Sequence, residues 1–438
     1  MLSAQADPPS PVPLHEVITF YSYKGGTGRT MALANIACLF ARQATVGMRA
    51  LAIDWDLEAP GLHYYLRSPN DMPVDSNSSG VVEYFSRVLE TVDAATHGDD
   101  DEDDHAEQIL AQIPFKRFCH ATAVANLDLM PAGGLDPTYQ GRLAKLDWQR
   151  LYEKAPAIFR SFARRMATDY DVVLVDSRTG MTDISGICTA LLPDKLVVVF
   201  TANQQSLEGI EQLVLDSVKY RQASRDVRPL MVYPMPSRID AERDTLRQLW
   251  RHGNRERGVE GFQPQFERIF QEAYALDSCD LPSYCNEVQV QRSPDYSYGE
   301  EVAARAAPEA DRFSIVRSYE ALVQWLHTSA APWESPESAL QRRRFESLLR
   351  QEADALGEDA PADPKGLTAM QEEIVRIAST LHGPHHQETM AATERLIRSY
   401  LRQTADLLHA IELLDRLAGS LSEMRIPVGL KAMGIIGR

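Results

Sequence analysis

This sequence of 438 residues predicts an α/β fold, a mostly parallel, doubly wound sheet followed by a small all-α module. Three observations carry that expectation. Short runs of β-branched and aromatic residues alternate with stretches of helical periodicity up to about residue 330, which is the pattern of a parallel sheet covered on both faces. The first of these runs leads directly into a glycine-rich turn that opens a helix. Beyond Pro332 the strand signal stops, and only helical patterning continues.

The elements follow in order. Residues 1–14 form a Pro-rich arm with neither the basic start nor the apolar core of a secretory signal. Val17-Ile18-Thr19-Phe20-Tyr21-Ser22 reads as a buried strand, MALANIACLFARQ after Thr30 as a helix, and Ala50 to Asp54 as a second strand. Residues near 68–108 are polar and acidic and read as an insertion on the sheet's rim. They carry the run Asp99 to Asp104 between His97 and His105, a like-charged block expected to be a solvated loop, with a divalent-metal site as the sharper alternative. Further strands are expected at Leu127–Met130, Val172–Val175, Leu196–Phe200, Leu230–Tyr233 and Glu287–Val290, with helices at Trp148–Thr168 and Leu207–Arg221. Trp333 to Pro336 reads as a linker. The expected division is therefore an arm at 1–14, an α/β domain at 15–330 and a helical module at 331–438.

Composition narrows the function. A net charge of -17 argues against a surface that grips nucleic acid throughout. No apolar run approaches the roughly 20 residues of a membrane helix. Five scattered cysteines without metal spacing point to free thiols in a reducing cytoplasm.

The chemistry concentrates at Lys24-Gly25-Gly26-Thr27-Gly28-Arg29-Thr30. A strand ending in such a turn aims backbone N–H groups and a helix dipole at one point, which makes an anion cradle. The glycines let the backbone close on a phosphate, Arg29 supplies fixed positive charge, and the Thr30 hydroxyl suits a magnesium shell. The general phosphate-loop pattern wants glycine at Tyr23 and lysine at Arg29. K-G-G-x-G-[KR]-T instead closely resembles the deviant Walker A motif of the MinD/ParA family of ATPases, and the R-T form with Asp54-Trp55-Asp56-Leu57-Glu58 resembles a variant of multi-domain bacterial proteins.

That resemblance implies a P-loop NTPase sheet, ATP and Mg2+ as cofactors, and an ATP-sandwich homodimer in which Lys24 reaches the partner's phosphates. It makes Asp56 the group that orients or activates the attacking water, and Asp54 a magnesium-site residue. Without it, the D-x-D reads as a strand end capping the next turn. Val172 to Gly180 is similar to the family's Walker B strand, which places Asp176 beside the metal. Thr201 to Ser206 falls where the family responds to nucleotide state. Arg238 falls beside the adenine position, with Ser237 where the family carries asparagine.

Leu381 to Leu417 resembles one tetratricopeptide-type repeat, a docking surface for a protein partner or a cap on the ATPase domain. His385 and His386 lack ligand spacing and read as a helix start. Glycines and Pro427 interrupt any amphipathic helix in the tail, which argues against membrane binding. ParA-like DNA binding through Arg238, Arg243, Arg247, Arg251, Arg255 and Arg257 is the alternative to the switch, and interleaved acids weigh against it. A nucleotide sensor that does not hydrolyse ATP, because of Arg29, is another.

Overall fold

The computed structural model describes residues 14–42, 48–66, 79–95, 101–181, 183–226, 228–240, 242–296, 298–306, 314–334, 336–356, 364–384, 386–402 and 411–413. The strands are β1 (Glu16–Tyr21), β2 (Ala50–Trp55), β3 (His120–Ala121), β4 (Leu127–Met130), β5 (Val172–Ser177), β6 (Lys195–Thr201) and β7 (Met231–Ser237). They form one seven-stranded sheet in the order β3-β4-β2-β5-β1-β6-β7. All pairings are parallel except that of β3 with β4. The fold is a doubly wound α/β sheet followed by helices.

Strand alternation makes the two cores, since successive side chains leave a strand on opposite faces. Ile18, Phe20, Ala52 and Leu174 pack with the helices Arg29–Arg42 and Ile315–Thr328 on one face. Val17, Leu51, Ile53, Val173 and Val175 pack with Phe85, Phe159 and Phe162 on the other. With both faces covered, the central strands read as continuous apolar runs.

Several segments depart from the sequence expectation. The helix expected over Trp148–Thr168 breaks into Trp148–Lys154 and Ile158–Asp169, because Pro156 lacks an N–H and drives the preceding Ala155 out of the helical region. Glu287–Val290 is not a strand. The helix Pro282–Glu287 ends there, and Val290 only donates its N–H to Pro236 O at 2.9 Å and accepts from Ile239 N at 3.0 Å. The two-residue β3, exposed and without pattern, gave no signal.

The acidic stretch is more ordered than a rim loop. Val81–Ala94 is a helix whose Val82, Phe85 and Val88 enter the second core. Asp101 caps the helix Glu102–Gln112, whose first turn holds the remaining acids, where the helix dipole favours them. Asp99, Asp100 and His97 lie outside the described residues, as do the arm to residue 13, His385 and the tail from 414.

Residues 331–334 are no loose linker. Trp333 is buried against Phe270 and Tyr274, with ring centroids 5.3 and 4.8 Å away, and donates its indole N–H to Leu381 O at 3.1 Å. The helices Pro336–Ala355, Pro364–His382 and Gln387–Arg402 then pack around Phe345, Leu348, Ile374, Ile377 and Leu381.

Candidate functional site

The glycine turn sits at the carboxyl end of the central strand β1, between that strand and the helix Arg29–Arg42. In a parallel sheet this edge, at the point where the chain switches sides, is where ligands collect. Here β1 lies between β5 and β6, while β2 has crossed beyond β5. Gly26 and Gly28 adopt φ of 76° and 87°, left-handed values that a side chain would strain. The turn therefore needs glycine at those two positions.

Neighbouring elements fix the turn. The Tyr23 ring lies against the helix Gln204–Ala223 so closely that a Cβ on Gly209 would stand 2.2 Å from it. Lys24 is exposed, its Nζ 5.5 Å from the centre of the Tyr23 ring. Ser237, the last residue of β7, brings Oγ within 3.5 Å of where a Gly28 Cβ would be. Arg238 follows it, exposed and left-handed at φ 57°.

Three carboxylates meet the turn. Register aligns Asp54 of β2 with Asp176 of β5, and Asp56 follows β2. Arg29, buried at 5% exposure, donates Nε to Asp176 at 2.5 Å and Nη2 to Asp56 at 2.8 Å. Burial opposes its charge, but Asp176 and Asp56 outweigh burial and hold the guanidinium above its usual range. Asp176 is pushed up by burial, against the pull of Arg29 and the Thr30 hydroxyl that bonds it.

Asp54 has a different environment. Its oxygens accept the backbone N–H groups of Gly61 at 3.0 Å, Leu62 at 3.1 Å and Asp56 at 3.3 Å. They thereby tie down the turn after β2. Burial and the adjacent Asp176 push its carboxyl up to about 8. Sequence reasoning gave no sign of Glu58 and Arg178, which join the loops after β2 and β5 by paired hydrogen bonds of 2.5 and 2.8 Å. Both lie inside the quoted motifs, but nothing in their spacing says that they meet.

The donor set fits a phosphate group with a hard cation. Among the described residues, Thr27 Oγ1, Arg29 Nη1 and Asp176 Oδ2 are buried without a hydrogen-bond partner, and buried polar atoms ordinarily have one. They offer, respectively, a hydroxyl, a fixed positive N–H and a carboxylate oxygen around one turn. The arginine series is less coherent. Arg251 is interior, bonded to Gln263 at 2.9 Å and Asn286 at 2.7 Å, and Arg247 pairs with Asp244.

Residues 15–227 match the model of a family described as an AAA domain. No curated protein matches the chain significantly. Among solved structures, the cell division ATPase MinD of Pyrococcus furiosus is similar at 15% identity and a TM-score of 0.41, over 71% of this chain and 99% of that one. A ParA family ATPase from Chlorobium tepidum is similar at 15% identity and a TM-score of 0.39, over 71% and 96%. The septum site-determining protein MinD of Pyrococcus horikoshii, solved with Mg-ADP, is similar at 17% identity and a TM-score of 0.38, over 70% and 93%.

Proposed function

We propose that this chain is an ATP-binding, magnesium-dependent switch whose nucleotide-bound form is a homodimer and whose helical module carries the state to a protein partner. The observation that supports it is the left-handed glycine turn opening a helix, with Asp176 and Asp56 at the ends of adjacent strands and Arg29 held between them. When bound, magnesium would offset the charge of the phosphate oxygens. In this reading Thr30 and Asp176 hold the cation, and the amides of residues 25–30 hold the phosphates. Asp54 serves by fixing the turn that carries Asp56. Arg29 leaves its two carboxylates for the phosphates, and Asp56, thus released, orients the attacking water.

Lys24 is exposed at the mouth of the turn, where a second copy could receive it. The test is ATP titration with and without magnesium, followed by sedimentation. ATP binding that depends on magnesium, and a dimer lost in Lys24→Ala with nucleotide still bound, is the expected result. Failure of the parent chain to bind ATP overturns the reading, and a Lys24→Ala dimer overturns the role of Lys24. Phosphate release measured in parallel separates a slow ATPase from a nucleotide sensor.

A further inference from the structure

We infer that His382, His386 and Glu388 form a binding site for one divalent cation of the zinc class, at the junction of the sheet and the helical module. The helix Pro364–His382 ends at His382, the chain reverses at Gly383 with φ of 85°, and the next helix begins at Gln387. Only glycine fits the reversal, since a Cβ there would stand 2.1 Å from Tyr274 O. A ligand pair that is not evident along the chain is thus brought together. An imidazole nitrogen of each histidine and a Glu388 oxygen all lie within 4.8 Å of one another. The two rings stack with centroids 4.6 Å apart.

The donor set is suited to zinc. Two imidazoles and one carboxylate, with a fourth position left to water, is a recurrent zinc arrangement. Bonds of about 2.0–2.1 Å in tetrahedral geometry separate ligand atoms by roughly 3.3 Å. His382 Nε2 and Glu388 Oε2 already stand 3.1 Å apart. The histidines are 5% and 8% exposed, and among the described residues His382 Nδ1 and His386 Nε2 are buried with no partner. An unpartnered buried nitrogen is costly, and a cation held by His382 Nε2 and Glu388 would employ His386 Nε2.

The charges nearby are compatible with a cation. Arg342 and Lys195 line the same cleft of about 900 Å³. Each carries its own counter-ion, Glu334 at 3.0 Å from Arg342 Nε and Glu16 on Lys195. Binding through His386 Nε2 moves its proton to Nδ1, which gives up a long 3.3 Å contact from the Glu388 N–H. One weak hydrogen bond is lost where metal–ligand bonds form.

Metal content separates this site from the nucleotide site and from the cysteines. Untagged, nucleotide-free full-length protein is stripped with a chelator, given Zn2+ alone, desalted and assayed, then titrated calorimetrically. One retained zinc per chain is expected, with affinity lowered by more than about tenfold in Glu388→Gln, the scale on which even supporting residues of such sites act. His386→Gln should abolish retention. Co2+ loading should give visible d–d absorption without a thiolate charge-transfer band. No zinc retained by the parent, unchanged affinity in Glu388→Gln, or a thiolate band each overturns the site. Should His386→Gln fail to fold by circular dichroism, the exposed Glu388→Gln decides alone.

Discussion

Arg29 is the residue whose surroundings say most about the resting site. Held between Asp176 and Asp56, with Asp54 one strand away, it is the counter-charge of a buried acidic cluster. Removing one partner of such a set leaves uncompensated charge at a cost of about 3–5 kcal/mol. Arg29→Ala should therefore lower thermal stability by that order without nucleotide, and Mg2+ alone should restore more of it than the same Mg2+ adds to the parent, as read by calorimetry. Arg29→Lys keeps the charge but not the planar fork, so it should fall between the two. The ordering of residues along the sequence made the meeting of turn, Asp56 and Asp176 legible, because strand ends in a parallel sheet share an edge. The pairing of Arg29 with both acids was not legible. It depends on where a long side chain points, which no spacing records. Asp54 illustrates the same limit: its place beside Asp56 follows from the motif, whereas its three backbone donors follow from how Gly61 and Leu62 fold back.

The helix Gln204–Ala223 joins that edge of the sheet to the other. Near its start, Gly209 receives the Tyr23 ring. Near its end, the buried Arg221 donates to Ala190 O at 3.1 and 2.7 Å and to Pro193 O at 2.8 Å. Gly209→Ala should displace Tyr23 and with it the phosphate turn, weakening ATP binding while circular dichroism stays unchanged. Arg221→Met should instead unfold the chain more readily, by about 2–4 kcal/mol in urea, since buried carbonyls left without donors cost ~1–3 kcal/mol each before relaxation. The helix itself was plain from its period. Its two anchors were hidden, one because a glycine in a helix has no pattern, the other because an arginine in a helix ordinarily reads as surface. The expected helix Trp148–Thr168 ran through Pro156 although proline's missing N–H marks the break there, and the strand expected at Glu287–Val290 failed because an apolar alternation of four residues does not outweigh the helix before it.

At the scale of the molecule, the sheet class was legible because buried strands declare themselves as unbroken β-branched runs, and order along the chain limits how they cross. The joint to the helical module was not, since Trp333 sits in a Pro-flanked stretch that resembles a spacer, yet is buried against Phe270 and Tyr274. Trp333→Ala should cost about 3–5 kcal/mol, the usual scale for a buried aromatic, and should divide one cooperative melting transition into two. The joint also has a definite place. Glu16, Lys195 and Met231, at the starts of β1, β6 and β7, line the junction cleft, and the same strands end at the glycine turn and at Ser237. The junction and the phosphate turn are thus the two ends of three shared strands, about 20 Å apart at the rise of a strand. At that or any other separation, the two proposed occupants are bound by thermodynamic linkage. If ATP changes the affinity for zinc by some factor, zinc changes the affinity for ATP by the same factor. A single pair of titrations therefore reveals whether the ends converse or merely coexist, and either titration predicts the other.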